Sequence, residues 1–128
     1  MARKVSVLNK TKGTLPRVPF SRIKDSVLGV DYDLSLVFVD DSESKKINIK
    51  HRGKSYVPNV LSFGLSDDDG EIFINPFEAR RQAPGFGRTY RSMIIFLYIH
   101  GLCHLKGMQH GSTMEKSEAK LRKKFGLD

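Results

Sequence analysis

Between Arg88 and Lys106 the chain reads RTYRSMIIFLYIHGLCHLK, an almost unbroken apolar run. As a helix this segment would be apolar around its whole circumference, and such a helix is stable only when other elements cover every side. A bilayer is not that cover, because the longest uninterrupted apolar stretch, Met93 to Ile99, is far too short to cross one. The rest of the 128 residues must therefore wrap this segment. A chain of that length closes one modest core, with about two-thirds of the unfolded surface buried. The expectation is one domain spanning residues 1–128.

The remaining elements follow from periodicity and punctuation. Val5 to Leu8 reads as a short strand, and Pro19 to Leu28 as a helix with Phe20, Ile23, Val27 and Leu28 on one face. Asp33 to Val39 alternates and is rich in branched and aromatic residues, so a strand is expected. Asp40, three residues before Glu43, reads as a capping box opening a helix to about His51 with a basic exposed face. Asn59 to Phe63 and Glu71 to Ile74 read as strands of a hairpin around the turn Asp67-Asp68-Asp69-Gly70. Pro76 suits the first turn of a short helix through Arg81, and Ala83 to Gly87 reads as a loop. Ser112 and Glu115 form a second capping box, before a last helix that turns Leu121 and Phe125 inward. Strands and helices mixed in this order imply an α+β fold, a small mixed sheet packed with helices around the central one.

The central helix also carries chemistry. Three of the four histidines fall within His100-Gly-Leu-Cys-His104-Leu-Lys-Gly-Met-Gln-His110. His100 and His104 stand one turn apart on the same helix face, so both rings can address one atom. Gly107 can end the helix in a left-handed conformation and let His110 swing back over that face. Three imidazoles with a fourth position open is the ligand count of a catalytic zinc site rather than a closed structural one. Zinc is the expected metal, and nickel or another divalent ion also fits three imidazoles. The spacing is that of the extended zincin pattern H-E-x-x-H-x-x-G-x-x-H, with Gly101 where a peptidase keeps its glutamate base. A peptidase reading therefore needs a carboxylate from elsewhere, such as Glu71. Cys103 is either a fourth, thiolate ligand or a small buried hydrophobe, and its rotation off the 100/104 face favours the core.

Charge points to the partner. The formal net charge is +8 and the pI is near 9.7, which suits a polyanion such as nucleic acid. The single cysteine rules out an intramolecular disulfide and fits a reducing compartment. The N-terminus lacks a signal-peptide apolar run, so a cytoplasmic, non-membrane protein is expected. Lys45, Lys46, Lys50 and Lys54, with Arg80, Arg81, Arg88 and Arg91, offer a salt-sensitive phosphate footprint. Lys120, Arg122, Lys123 and Lys124 suit the dipole-favoured end of a helix. The sequence holds no aromatic run resembling a known RNA-stacking module.

Three blocks together resemble the YbeY family of metal-dependent endoribonucleases, also described as ribosomal RNA maturation factors. The histidine block resembles the family's H-G-x-L-H-L-x-G-Y-D-H. Arg52-Gly53-Lys54 followed by Asn59-Val60-Leu61-Ser62-Phe63 resembles its R-G-K block, and Gly70-Glu71-Ile72 its G-D-I. The likeness covers most of the chain, from near Leu34 to the end. Cys103, Met108 and Gln109 replace leucine, tyrosine and aspartate of the family pattern, Gly64 replaces a proline, and Glu71 an aspartate. The chain is short for the family, which implies trimmed terminal elements.

The resemblance implies one YbeY-like domain over residues 1–128. It implies hydrolysis of single-stranded RNA in ribosomal RNA maturation and ribosome quality control. His100, His104 and His110 would hold one metal ion, and Arg52 would neutralise charge building on the phosphate. Ser62 would either bond substrate or pair in the sheet, and Lys54, Arg88 and Arg91 would contact the RNA backbone. Single-stranded or ribosomal RNA is the expected partner, with ribosomal proteins as further ones, and the oligomeric state is left open. Two rivals remain: a non-catalytic ribosome assembly factor with a structural metal, and a metallopeptidase.

Overall fold

Among the described residues four strands make one mixed sheet: β1 (Ser6–Asn9), β2 (Asp33–Phe38), β3 (Val60–Ser66) and β4 (Asp69–Ile74). Their spatial order is β1-β2-β4-β3. β1, β2 and β4 run parallel, and β3 closes the other edge antiparallel to β4. Among the described residues five α-helices accompany them: α1 (Phe20–Leu28), α2 (Asp41–Arg52), α3 (Pro76–Gln82), α4 (Tyr90–Leu105) and α5 (Ser112–Lys124). The structure is a computed structural model that describes residues 5–107 and 112–125.

Alternation in β2 and β4 explains the platform under α4. Leu34, Leu36 and Phe38 are fully buried, as are Ile72 and Ile74. Register sets Leu36 beside Ile72 and Phe38 beside Ile74, so branched and aromatic side chains of adjacent strands share one face. Onto that face packs α4, with Met93, Ile94, Ile95, Tyr98, Ile99, Leu102 and Cys103 all at 0% exposure. α1 covers a further side, where the Tyr98 hydroxyl donates to the Phe20 carbonyl at 2.8 Å and the two rings meet edge to face at 5.0 Å. The central helix is thus buried as the apolar run requires. Its first residue is Tyr90, because Thr89 caps it by accepting from the Ser92 amide at 3.1 Å.

Local chemistry sets the other boundaries. Asp40 accepts from the Glu43 amide at 2.9 Å and caps α2. The reciprocal half of the capping box is not made, since the Glu43 carboxylate pairs with Lys10 instead. Asn75 accepts from the amides of Phe77 and Glu78, and Pro76 occupies the first turn of α3. The β3–β4 hairpin is longer than the sequence suggests. Its strands continue through Ser66 and from Asp69, which leaves only Asp67 and Asp68 in the turn. A register shift between Gly64 and Ser66 absorbs the extra residue, and Asp69 is held by pairing with both Ser66 and Asp33. The Ala83–Gly87 segment is not an open loop but a 3-10 turn over Ala83–Phe86, closed by Gly87 at φ 64°. Met114, Leu121 and Phe125 of the last helix segment pack on the core, as the periodicity implies. The Ser112 side chain, expected to cap that helix, lies outside the described residues.

Among the described residues no helix is long and apolar enough to cross a membrane. Tyr98→Phe keeps the ring and removes one bond inside this core. It should cost about 1 kcal/mol and lower Tm by roughly 3–6 °C. An unchanged Tm in thermal denaturation would show that the Phe20 carbonyl is equally well satisfied without the phenol.

Candidate functional site

One face of α4 borders open space beside the core. Leu97, His100, Gly101 and His104 follow i, i+3, i+4 and i+7 spacing and line a cleft of about 510 Å³. The start of β3 supplies Leu61 and Ser62, and the end of α2 with the segment after it supplies Arg52, Tyr56 and Asn59. The cleft floor is set by packing. A side chain at position 101 would place its Cβ 3.1 Å from Ile72 Cδ1, so glycine lets α4 lie close on β4. Among the described residues no aspartate or glutamate lines this cleft.

The two helical histidines converge as their spacing implies. Their Nε2 atoms are 3.1 Å apart and their rings stand at 81°. Behind them, Nδ1 of His100 lies 2.8 Å from Oε1 of Glu118 on α5. The Glu118 side chain is only 7% exposed, and an ionised carboxylate can only accept. In a neutral ring that contact places the proton on Nδ1 and leaves the Nε2 lone pair of His100 aimed at His104. Without a cation between them, His104 must donate to that lone pair. With one, both rings present lone pairs to the same point. This donor set, with a carboxylate supporting one ring from behind, fits a divalent metal. His110, expected as the third ligand, lies outside the described residues, as do Met108 and Gln109. Among the described residues no group of three or more His, Cys, Asp and Glu side chains is arranged to hold an ion. Gly107 does take a positive φ, 95°, just past Lys106, which caps α4.

Glu118 is the residue that the motif alone does not reveal. Its signal lies in the last helix, where Met114, Glu118, Leu121 and Phe125 share one stripe. A carboxylate in an apolar stripe must find a partner when buried. Arg122, one turn on, brings a guanidinium to 3.9 Å from Oε2. Cys103, by contrast, is fully buried. Burial first, and then the charge of Glu118, pushes its thiol up to about 11, so it packs in the core as a neutral thiol.

Arg52 ends α2 and is exposed in the cleft wall. Its Nη1 donates to the Tyr56 hydroxyl at 3.2 Å and to Asn48 Oδ1 at 3.5 Å. Asn48 is fully buried and donates to the Tyr56 carbonyl at 3.1 Å, so it braces the guanidinium and the following segment together. Ser62 is half-buried in β3 and also lines the cleft. Lys54, Arg88 and Arg91 lie outside its lining. Arg88 donates to Ser92 at 3.0 Å, and Arg91 to the Arg17 carbonyl at 2.9 Å. Glu71 sits in β4 opposite Phe63, likewise outside the cleft.

The class is thus an α+β protein whose buried central helix turns two imidazoles into a cleft shared with an arginine. A family model described as Endoribonuclease YbeY matches residues 10–126. Proteins called Endoribonuclease YbeY are similar over much of the chain. That of Bdellovibrio bacteriovorus is 38% identical over 97 residues, 74% of this chain and 62% of its own length. That of Staphylococcus carnosus is 32% identical over 117 residues, 82% of this chain and 76% of its own. The solution structure of a Thermotoga maritima protein superposes with a TM-score of 0.67 at 23% identity, covering 91% of this chain and 85% of that one. The chain belongs to the endoribonuclease YbeY family.

Gly101→Glu tests whether the peptidase base is compatible with this packing. The added Cβ would press on Ile72 at 3.1 Å, and the expected cost is about 1–3 kcal/mol. A urea midpoint equal to that of the parent would show that α4 can lift off β4 freely.

Proposed function

We propose that the chain is a metal-dependent endoribonuclease that cleaves single-stranded RNA in ribosomal RNA maturation and ribosome quality control. We read it as one domain over residues 1–128 that works in the cytoplasm, with ribosomal RNA as its partner. The observation that carries this reading is the sharing of one cleft by Arg52 and the His100–His104 pair. The names of the relatives support it.

His100 and His104 would hold the ion, with His110 as third ligand by its spacing, and zinc suits this donor set. When bound, the metal supplies a Lewis acid and lowers the pKa of a coordinated water. The protein's own side chains do the rest. Glu118 keeps the proton of His100 on Nδ1 and fixes the ring. Arg52, steadied by Tyr56 and Asn48, offers a planar guanidinium to the phosphate oxygens as charge accumulates on them. Ser62 supplies a hydroxyl to the substrate from the cleft wall. Lys54, Arg88 and Arg91 would meet phosphates of RNA extending beyond the cleft. The peptidase alternative lacks a carboxylate at the cleft among the described residues.

A labelled single-stranded RNA should be cleaved by the parent, and cleavage should vanish with chelator and in His104→Ala. Arg52→Ala should lose about 10²–10³-fold in rate. Cleavage that survives both chelator and His104→Ala would overturn the metal assignment. A protein that holds its metal and binds RNA but never cuts would be an assembly factor instead. Separately, Glu118→Gln should weaken metal affinity by about 10–100-fold in chelator competition. Undiminished affinity would remove Glu118 from the site.

A further inference from the structure

The 3-10 turn after α3 presents a phenylalanine to solvent beside the cleft. Phe86 is 55% exposed. Its ring lies 5.8 Å from that of Phe96, tilted by 43°. Phe96 lines the cleft and stands one helical turn before His100. The guanidinium of Arg88 lies over the Phe96 ring at 4.7 Å, and that of Arg122 at 5.2 Å. Two aromatic rings and two cations, separated in sequence, thus form one patch continuous with the cleft wall.

The turn that carries Phe86 is held in place. The Gly87 amide donates to the Pro84 carbonyl at 3.0 Å, and the Arg88 amide to that of Ala83 at 2.9 Å. Core packing does not account for an aromatic ring kept half in water on a fixed turn. Other exposed apolar side chains, such as Val7, Leu8, Val30 and Leu65, lie away from the cleft lining. Tyr56 is the other exposed large ring, and it belongs to that lining.

We propose that Phe86, backed by Phe96 and flanked by the Arg88 and Arg122 guanidiniums, is a stacking step for a nucleobase of single-stranded RNA adjacent to the cleft. The proposal rests on the ribonuclease reading and adds where a base is held. Unpaired bases expose their π faces to aromatic rings, whereas bases in a duplex are already stacked. Arg88 beside the rings suits the phosphate that accompanies each base, whereas Arg122, only 12% exposed and facing Glu118, supports Phe96 from within. The step therefore favours single strands without reading sequence.

The chain contains no tryptophan, so Phe86→Trp introduces a single indole reporter. A cleavage-resistant 2′-O-methyl oligonucleotide should quench that fluorescence. An abasic strand of equal length and charge should not. Phe86→Ala should bind the oligonucleotide about 5- to 100-fold more weakly and bind the abasic strand as the parent does. Because Phe86 is exposed, both variants should melt with the parent. Equal quenching by the abasic strand, or unchanged oligonucleotide affinity in Phe86→Ala, would overturn the stacking step. The latter result would leave the patch to a protein partner. If the parent itself binds no single strand, the ribonuclease reading falls together with this proposal.

Discussion

The approach of α4 to β4 at Gly101 sets the depth at which everything else sits. Ile72 stands where a side chain at 101 would begin, and Leu105 lies as closely over Gly70 of β4, so the helix comes down onto the β2–β4 face at both glycines. Close packing there buries Ile94, Ile95, Tyr98, Ile99 and Leu102 completely. On the cleft side Phe96, His100 and His104 stay partly exposed. The cleft is thus the uncovered margin of a helix that is otherwise surrounded. Its two imidazoles are held on a rigid element with the core beneath, the kind of support that a precise constellation needs.

A second constraint acts from behind. Placing a carboxylate at Glu118 among apolar neighbours is costly unless its hydrogen bonds are made. The bond to His100 and the nearby Arg122 guanidinium meet that requirement, and they do so only while α5 is docked. The orientation of His100 and the seating of the last helix are therefore one event. Arg122 extends the link further, since its guanidinium also lies over Phe96 in the cleft wall. Rings, charges and helix docking on this side of the protein support each other, so removal of one member leaves the others incompletely paired.

What the sequence reveals and what it hides divide along the range of the interactions. Short-range signals translate directly. Asp40 caps α2, Pro76 opens α3, and the alternation of β2 becomes a buried face. The His100–His104 pair is legible because helix geometry alone brings four-residue neighbours together. Glu118 is not, because eighteen residues and a helix–helix interface separate it from His100. The Phe86–Phe96 patch is hidden for the same reason, as one ring sits on a 3-10 turn that reads as loop from its proline and glycines. The longer hairpin escapes notice because three aspartates look like a turn, yet Asp69 is captured by strand partners on both sides.

The zincin spacing and the glycine within it have a common explanation in this packing. Histidines at i and i+4 with a later third histidine describe how a helix and its following turn can surround an ion, and nothing more. The reaction then depends on what else the cleft admits. A carboxylate at position 101 would compete with Ile72 for space. It would also put a negative charge beside whatever substrate enters. For a neutral peptide bond that charge is useful as a base. For a phosphodiester it opposes the approach of an anion whose charge grows toward the transition state. In the proposed reading, glycine at position 101 and Arg52 in the same cleft suit a phosphate rather than an amide.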